Sequence, residues 1–344
     1  MRRSASARVA SQSRHRGGPD DFSHASLGFF RVWIAHLGRR YGLLQELAKA
    51  PGGRTPQALA ARRRCDASAV VAWCESAHAL GLLDRDGPRF QLPPKWRRLL
   101  ADETHEDYLA GQFSYLALRS LDYEGFDALF RRGTVPNGAA KHLVEASAEA
   151  TRWDHTAFLK TVLPKVPALR ASLVRGARVL DVGSGSGAWD FRMASQFPRS
   201  TFLGVEPNLE ALRVARKNAD GVPGRRVRFV RGTGEAMRFR GAFDVAYLGE
   251  ALYGMSSKDR ALRNCHRAVR PGGWIVITEG LLDRGADPRA GDNPLLYGFQ
   301  LDFALQGARL LTPAEVRRLL REAGFHRTRF LHAGGGLWFV VATK

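Results

Sequence analysis

Cysteine is scarce in this chain. Three stand in 344 residues, and none forms a C-x-x-C pair. That leaves no basis for a disulfide framework or a cysteine-bound zinc, and no metal is expected. Cys65, Cys74 and Cys265 read as buried thiols of a cytoplasmic protein. Long apolar runs are missing too. None approaches the ~18 residues of a membrane helix, and pieces such as WIVIT (274–278) read as buried strands. Lysine is nearly absent: of 53 basic residues only 8 are Lys, so arginine carries the net charge of +20. Codon bias explains such a ratio as readily as selection for a ligand. The charge is also spread out, at +3 over residues 1–24, +6 over 25–170 and +11 over 171–344. Without a single basic block, nucleic acid is the weaker reading of the partner. Residues 1–19 hold no acidic and almost no large apolar side chain. A disordered basic arm is expected over 1–24, and the arm lacks the apolar core of a secretory signal.

Beyond the arm the chain changes character twice. Phe30, Trp33, Ile34, Leu37, Tyr41, Leu44 and Leu47 recur at helical spacing, so one helix is predicted from Phe29 to about Ala48, ended by PGG at 51–53. Thr55 is placed to cap a second helix with Pro56 at its first position. Asp66 is placed to cap a third, with Val70, Trp73, Cys74, Ala77 and Leu80 on one face. GLLDRDGPRFQL (81–92) reads as two short strands about an Asp-Gly turn. Three helices and a small β-wing predict a winged helix over 25–100. Its third helix carries no Lys or Arg, which does not suit a phosphate-facing surface. The domain therefore reads as a packing or dimerisation module, and a homodimer is expected through it.

Residues 101–170 are expected to be a helical connector that caps a pocket. Tyr108, Phe113, Tyr115, Tyr123, Phe126, Phe130, Trp153 and Phe158 are interleaved there, as core or as pocket wall. From Arg178 strands and helices alternate: RVLDV, TFLGVE, VRFV, FDVAYL and GGWIVIT are separated by helical segments. This pattern gives a Rossmann-like α/β sheet, mostly parallel and covered on both faces, over 171–344. FHRTRF and GLWFVVAT come too close together for a crossover helix, so an antiparallel C-terminal strand is expected.

The first of these strands runs into RVLDVGSGSGAWD (178–190). From Gly183 the spacing is G-x-G-x-x-A, which fits a dinucleotide turn. From Asp181 it is D-x-G-x-G-x-G, which fits a different ligand. A carboxylate two residues before the first glycine would repel a pyrophosphate, and like charges 4 Å apart cost about 1 kcal/mol even in water. S-adenosylmethionine carries a sulfonium and an ammonium and no phosphate, so the same carboxylate attracts it. Glu206 ends the second strand, where it can hold both ribose hydroxyls.

At these motifs the sequence resembles the class I S-adenosylmethionine-dependent methyltransferases. VLDVGSGSG, GVEPN, FDVAYLGEALY and AVRPGGWIVITE fall in family order and spacing. The preceding winged helix is similar to that of small-molecule O-methyltransferases, where it dimerises and helps close the pocket. The resemblance implies a seven-stranded sheet and S-adenosylmethionine as cofactor. It puts Asp181, Gly183, Ser184, Gly185 and Gly187 around the methionine part, Glu206 on the ribose, and Leu248 and Gly249 along the cofactor. The family's usual Asp at the adenine is replaced by Thr233 in RGTGEAM, with Gly234 and Glu235 beside it. The family's basic His, in an L-H-D-W-S context, is replaced by Tyr253 in L-Y-G-M-S. Tyr253 reads as a pocket residue that shapes the site or, more sharply, as a base of lowered pKa; His155 in RWDHTAF and Glu250 are the alternatives for a proton acceptor. A reaction needing no strong base is equally open, since alignment alone supplies several kcal/mol.

Between the fifth strand and the last helix lies an insertion at about 281–311. Leu295, Leu296, Phe299, Phe303 and Gln306 recur there at helical spacing, as a lid or as plain packing. The expected function is methyl transfer to a small molecule, to oxygen of an aromatic or polyketide-like acceptor. N- or C-methylation, a nucleic-acid methyltransferase and a winged-helix DNA-binding sensor are the alternatives.

Overall fold

The computed structural model describes residues 19–105, 107–133, 141–221, 224 and 226–344. The expected arm falls outside them over residues 1–18. The chain forms two compact units, Met1–Pro93 and Pro94–Lys344.

In the first unit, helices α1 (Pro19–Arg40), α2 (Leu43–Ala48), α3 (Pro56–Arg63) and α4 (Ala67–Ala79) precede an antiparallel hairpin of β1 (Asp84–Asp86) and β2 (Arg89–Gln91). Residues 19–24, read as arm, are the first turns of α1. The single helix predicted over 29–48 is two. Gly42 takes φ +70°, which interrupts the helical hydrogen-bond ladder, and Tyr41 beside it turns out to solvent. Both predicted caps form: Thr55 Oγ1 accepts the Ala58 N–H at 3.3 Å, and Asp66 Oδ1 accepts that of Ala69 at 2.9 Å. The Trp73 indole of α4 donates to the Ile34 carbonyl of α1 at 2.9 Å and sets the third helix against the first.

The second unit opens with helices α5 (Pro94–Leu100), α6 (Ala110–Arg119), α7 (Gly125–Arg132), α8 (Lys141–Ala150) and α9 (Arg152–Ala157). A π-helical turn, Phe158–Val162, leads into α10 (Leu163–Lys165) and then α11 (Pro167–Gly176). The alternating region follows as β3 (Arg178–Val182), α12 (Ala188–Gln196), β4 (Thr201–Glu206), α13 (Leu209–Ala219), β5 (Val227–Arg231), β6 (Phe243–Gly249), α14 (Lys258–Ala268) and β7 (Val269–Gly280). Helices α15 (Asn293–Ala304) and α16 (Pro313–Glu322) and strands β8 (His326–Gly334) and β9 (Leu337–Thr343) complete it. The sheet order is β5-β4-β3-β6-β7-β9-β8, with β9 antiparallel to both its neighbours. The expected Rossmann-like sheet and its one reversed strand are therefore present.

Two-residue periodicity sorts the side chains onto the two faces. Val179, Val245, Tyr247, Val276 and Phe339 pack on one, and Leu180, Ala246, Leu248, Ile277 and Val340 on the other. Asp181 and Tyr247 are register partners, so they share the first face. Strand order reverses between β3 and β6, and open α/β sheets bind ligands outside such a point.

The connector aromatics divide. Tyr108 and Phe158 are buried, Phe130 is 75% exposed, and Phe113, Tyr115 and Trp153 line a cavity. The insertion is pinned at its base, where Leu281 bridges Leu311 and the Leu282 N–H donates to the Leu311 carbonyl at 2.9 Å. Its helix α15 is tied to α6 by a buried ion pair, Arg119 Nε to Asp302 Oδ1 at 2.8 Å, and Tyr115 Oη donates to Asp302 Oδ2 at 2.5 Å. Removing one member of a buried pair strands the other charge. Asp302→Ala is expected to destabilise the protein by about 3 kcal/mol in urea unfolding, whereas Arg119→Met with Asp302→Leu recovers part of the loss.

Candidate active site

The turn after β3 runs through Gly183 (φ +83°), Gly185 (φ +55°) and Gly187 (φ +78°) into α12. The N–H groups of Gly183 and Ser184 donate to the Val205 carbonyl at 2.8 and 3.3 Å, which ties the turn to β4. A Cβ on Gly183 would lie 2.6 Å from the Ala251 methyl, whereas one on Gly185 would meet nothing within 4 Å. Gly185 is required by its left-handed backbone alone, and the space over it is open to a ligand. Glu206 closes the cradle. Its Oε2 accepts the Gly185 N–H at 2.8 Å and its Oε1 that of Asn208 at 2.7 Å. Each oxygen keeps a second lone pair for a hydroxyl.

Carboxyl groups dominate the rest of the floor. Asp181 and Asp190 are buried and face one another. Burial and then the neighbouring carboxyl hold Asp181 well above the usual range, and burial pushes Asp190 up to about 7. Further along, Glu250 follows β6 with φ +47°, a conformation rare for a residue with a side chain. Burial pushes it up to about 7. Burial and then the charge of Glu250 raise Asp154, and the same two causes push Glu279 up to about 8. Glu279 Oε1 accepts the N–H groups of Leu252 and Tyr253 at 2.7 and 3.3 Å.

Of the three candidates for a proton acceptor, Tyr253 and His155 lie in surroundings that disfavour that role. Tyr253 stacks on Phe303, with ring centroids 4.5 Å apart and planes 5° apart. Burial, then the charges of Glu250 and Glu279, drive its phenol above its ordinary value, the reverse of what a base needs. For His155, burial and then Arg192 and Arg152 push the imidazole down to about 3, so it is neutral and a very weak proton acceptor at pH 7. Both residues line the cavity.

The other expected contacts divide. Asp181, Gly183, Ser184, Gly185, Glu206 and Gly249 all line one cavity. Gly187 is set back against Phe229 and Phe191. Leu248 lies on the opposite face of the sheet, as strand alternation from Tyr247 requires. Thr233, Gly234 and Glu235 are spent on local structure. Thr233 Oγ1 accepts the Ala236 N–H at 3.2 Å, Glu235 Oε1 accepts Ser256 Oγ–H at 3.1 Å, and the Gly234 carbonyl accepts Asn264 Nδ2–H at 2.9 Å. Sequence reasoning missed Asp190, Asp154, Trp189 and Tyr247. Trp189 stacks on Tyr247 at 3.8 Å with planes 4° apart, forming a flat wall.

Ser184 Oγ, Trp189 Nε1 and Asp154 Oδ2 are buried with no hydrogen-bond partner among the described residues. Buried polar atoms left in this way call for a ligand. The cavity they border has a volume of about 810 Å³ and continues from the cradle into an apolar chamber walled by Phe113, Leu116, Val144, Leu295, Phe299 and Phe303. All five insertion residues singled out by their spacing reach it, including Gln306.

Comparison with known proteins agrees with this geometry. Residues 179–273 match the family model described as a methyltransferase domain. The chain is 30% identical over 209 residues to the ubiquinone biosynthesis O-methyltransferase of Thiobacillus denitrificans, covering 58% of this chain and 80% of that one. It is 30% identical over 172 residues to bovine acetylserotonin O-methyltransferase, of which the match spans 47%, about half. The fold is similar to that of human N-acetylserotonin methyltransferase in complex with SAM, with a TM-score of 0.69, 20% identity and coverage of 97% of this chain and 99% of that one. The chain belongs to the class I S-adenosylmethionine-dependent methyltransferases, and its cofactor is S-adenosylmethionine.

The residues present fit that cofactor. Its sulfonium and ammonium groups suit the acidic side chains of Asp181 and Asp190, and Glu206 has free lone pairs for the ribose. The buried pair also sets a pH dependence. A carboxyl raised in the folded state binds more protons there than in the unfolded chain, so stability falls as pH rises through the folded value. For Asp190 the window runs from the ordinary carboxyl range up through about 7. Melting of the cofactor-free protein is expected to show Asp190→Asn flattening the decline between about pH 6 and about pH 8, a difference of about 1 kcal/mol.

Proposed function

We propose that this methyltransferase moves a methyl group to an oxygen of a small, largely apolar acceptor of aromatic or polyketide-like character. One observation carries the reading: the glycine cradle and the apolar chamber are a single cavity, so cofactor and acceptor would meet in a space that excludes water. Bound S-adenosylmethionine supplies an electrophilic methyl carbon on a cationic sulfur. Asp181 and Asp190 hold that positive charge, and Glu206 fixes the ribose. The aromatic walls from α6 and α15 orient a flat acceptor, and such alignment is worth several kcal/mol in an in-line displacement. The names of the relatives support oxygen, since acetylserotonin and a ubiquinone precursor stage are O-methylated by them. Carbon is the second reading, because a C-methyltransferase of ubiquinone and menaquinone biosynthesis in Hahella chejuensis is also 28% identical over 151 residues.

The first unit supports a homodimer in this proposal. Helix α1 exposes Leu27, Phe29 and Phe30, and α4 has no Lys or Arg with which to read a DNA groove. No described helix is long and apolar enough to cross a membrane, and a cytoplasmic location is part of the same proposal.

Calorimetric titration with S-adenosylhomocysteine tests the cofactor site. Wild type is expected to bind at a Kd of about 100 µM or tighter, and Glu206→Ala to bind at least about tenfold more weakly, a loss of about 1.4 kcal/mol. Incubation with S-adenosylmethionine and a set of phenols, followed by mass spectrometry, is expected to give methyl ethers. Absence of any binding refutes the cofactor reading, and ring-carbon methylation selects the second one.

A further inference from the structure

We propose that Glu250, backed by Asp154, is the catalytic group that takes the proton from the acceptor, and that the acceptor is a neutral, weakly acidic hydroxyl. This rests on the methyl-transfer reading above and names the proton's destination within it.

Position comes first. Glu250 follows Gly249 at the carboxyl end of β6, next to the cradle strand β3, and it lines the cavity where cradle and apolar chamber join. Its left-handed backbone, φ +47°, is held by its own N–H donating to the Thr278 carbonyl at 2.7 Å. A non-glycine residue kept in that region is a mark of functional sites.

Asp154 supplies an independent observation. It is 2% exposed, it lines the same cavity, and its Oδ2 has no donor among the described residues. A carboxyl oxygen left bare at such depth is suited to receive a donor from a ligand. The two side chains that the motif pattern offered are excluded by their surroundings, Tyr253 by burial and neighbouring carboxyls, His155 by burial and two guanidinium groups.

Burial raises Glu250 itself, and the titratable groups that face it are raised in part by its charge. Asp154 faces it from α9, Glu279 from β7, Tyr247 from β6, and Tyr253 from the turn beyond; Lys258 acts only on Glu279 within this set. A base poised near 7 combines an available lone pair at pH 7 with real affinity for a phenolic proton. The same crowd of carboxyls disfavours an acceptor that is itself a carboxylate or phosphate.

The step balances. The hydroxyl oxygen forms a bond to the methyl carbon as the bond from that carbon to sulfur breaks, and its electron pair stays on sulfur. The O–H bond breaks, its pair remains on the ether oxygen, and the proton ends on Glu250, which becomes a neutral carboxylic acid. Release of that proton to water restores the carboxylate.

2-Naphthol serves as the probe, because excitation makes its hydroxyl strongly acidic and its emission reports whether a nearby base has taken the proton. It is added to the protein with S-adenosylhomocysteine bound, between about pH 5.5 and about pH 8.5. Wild type is expected to gain naphtholate emission with a midpoint near 7. Glu250→Gln is expected to remove that midpoint, Glu250→Asp to keep it, and Asp154→Asn to leave it near 7, because burial already holds Asp154 protonated there. With S-adenosylmethionine and 2-naphthol as acceptor, Glu250→Gln is expected to lower kcat about 100-fold with little change in KM. Emission and turnover unaltered by Glu250→Gln overturn the proposal, as does a failure of 2-naphthol to bind protein that binds S-adenosylhomocysteine. Failure of S-adenosylhomocysteine itself to bind is a different result, and it overturns the cofactor reading.

Discussion

A carboxyl group taken out of water raises its own pKa unless a cation meets it. Near the strand ends of this sheet four such groups, Asp154, Asp181, Asp190 and Glu279, are buried, with the half-buried Glu250 among them. No Lys or Arg among the described residues forms an ion pair with any of them. The rest of the second unit is arranged around this cost. Backbone N–H groups take up Glu279, and the Thr278 carbonyl holds the strained turn at Glu250. A positively charged ligand relieves the cost directly, so the cofactor's charge is matched to the floor it lands on.

Much of this was legible in the amino-acid order. The succession of short apolar strand segments and helical segments gave the sheet, and the short link between FHRTRF and GLWFVVAT required the antiparallel end. Asp181 pointed to a cationic ligand before any coordinates did. The failures have identifiable causes. Periodicity cannot show that Gly42 adopts a positive φ, so two helices read as one. Asp190 sits in the first turn of α12, where an acidic residue ordinarily complements the helix dipole, and that common role hid its burial. Asp154 was passed over for its neighbour His155, because an imidazole has the more useful ordinary pKa; depth in the fold reverses the ranking.

Motif position proved a weaker guide than environment at the reacting end of the site. Tyr253 occupies the place where relatives of this type carry a basic His, yet it is pressed against Phe303 and surrounded by acids. Thr233 and Glu235 occupy the usual adenine position and are engaged with their own turn and with Ser256. In both cases the contacts already made there, stacking at Tyr253 and hydrogen bonds at Thr233 and Glu235, limit what the side chains have left to offer.

The bridge between Leu281 and Leu311 fastens both ends of the insertion to one point beside the sheet. Whatever happens in the roughly thirty residues between them does not propagate into strand register, because the chain leaves and returns through the same anchor. The segment is free to differ in length only between its inner fastenings, because Asp302 is held by Arg119 and Tyr115 and Phe303 by Tyr253, so a change at those two positions reaches the wall of the cavity.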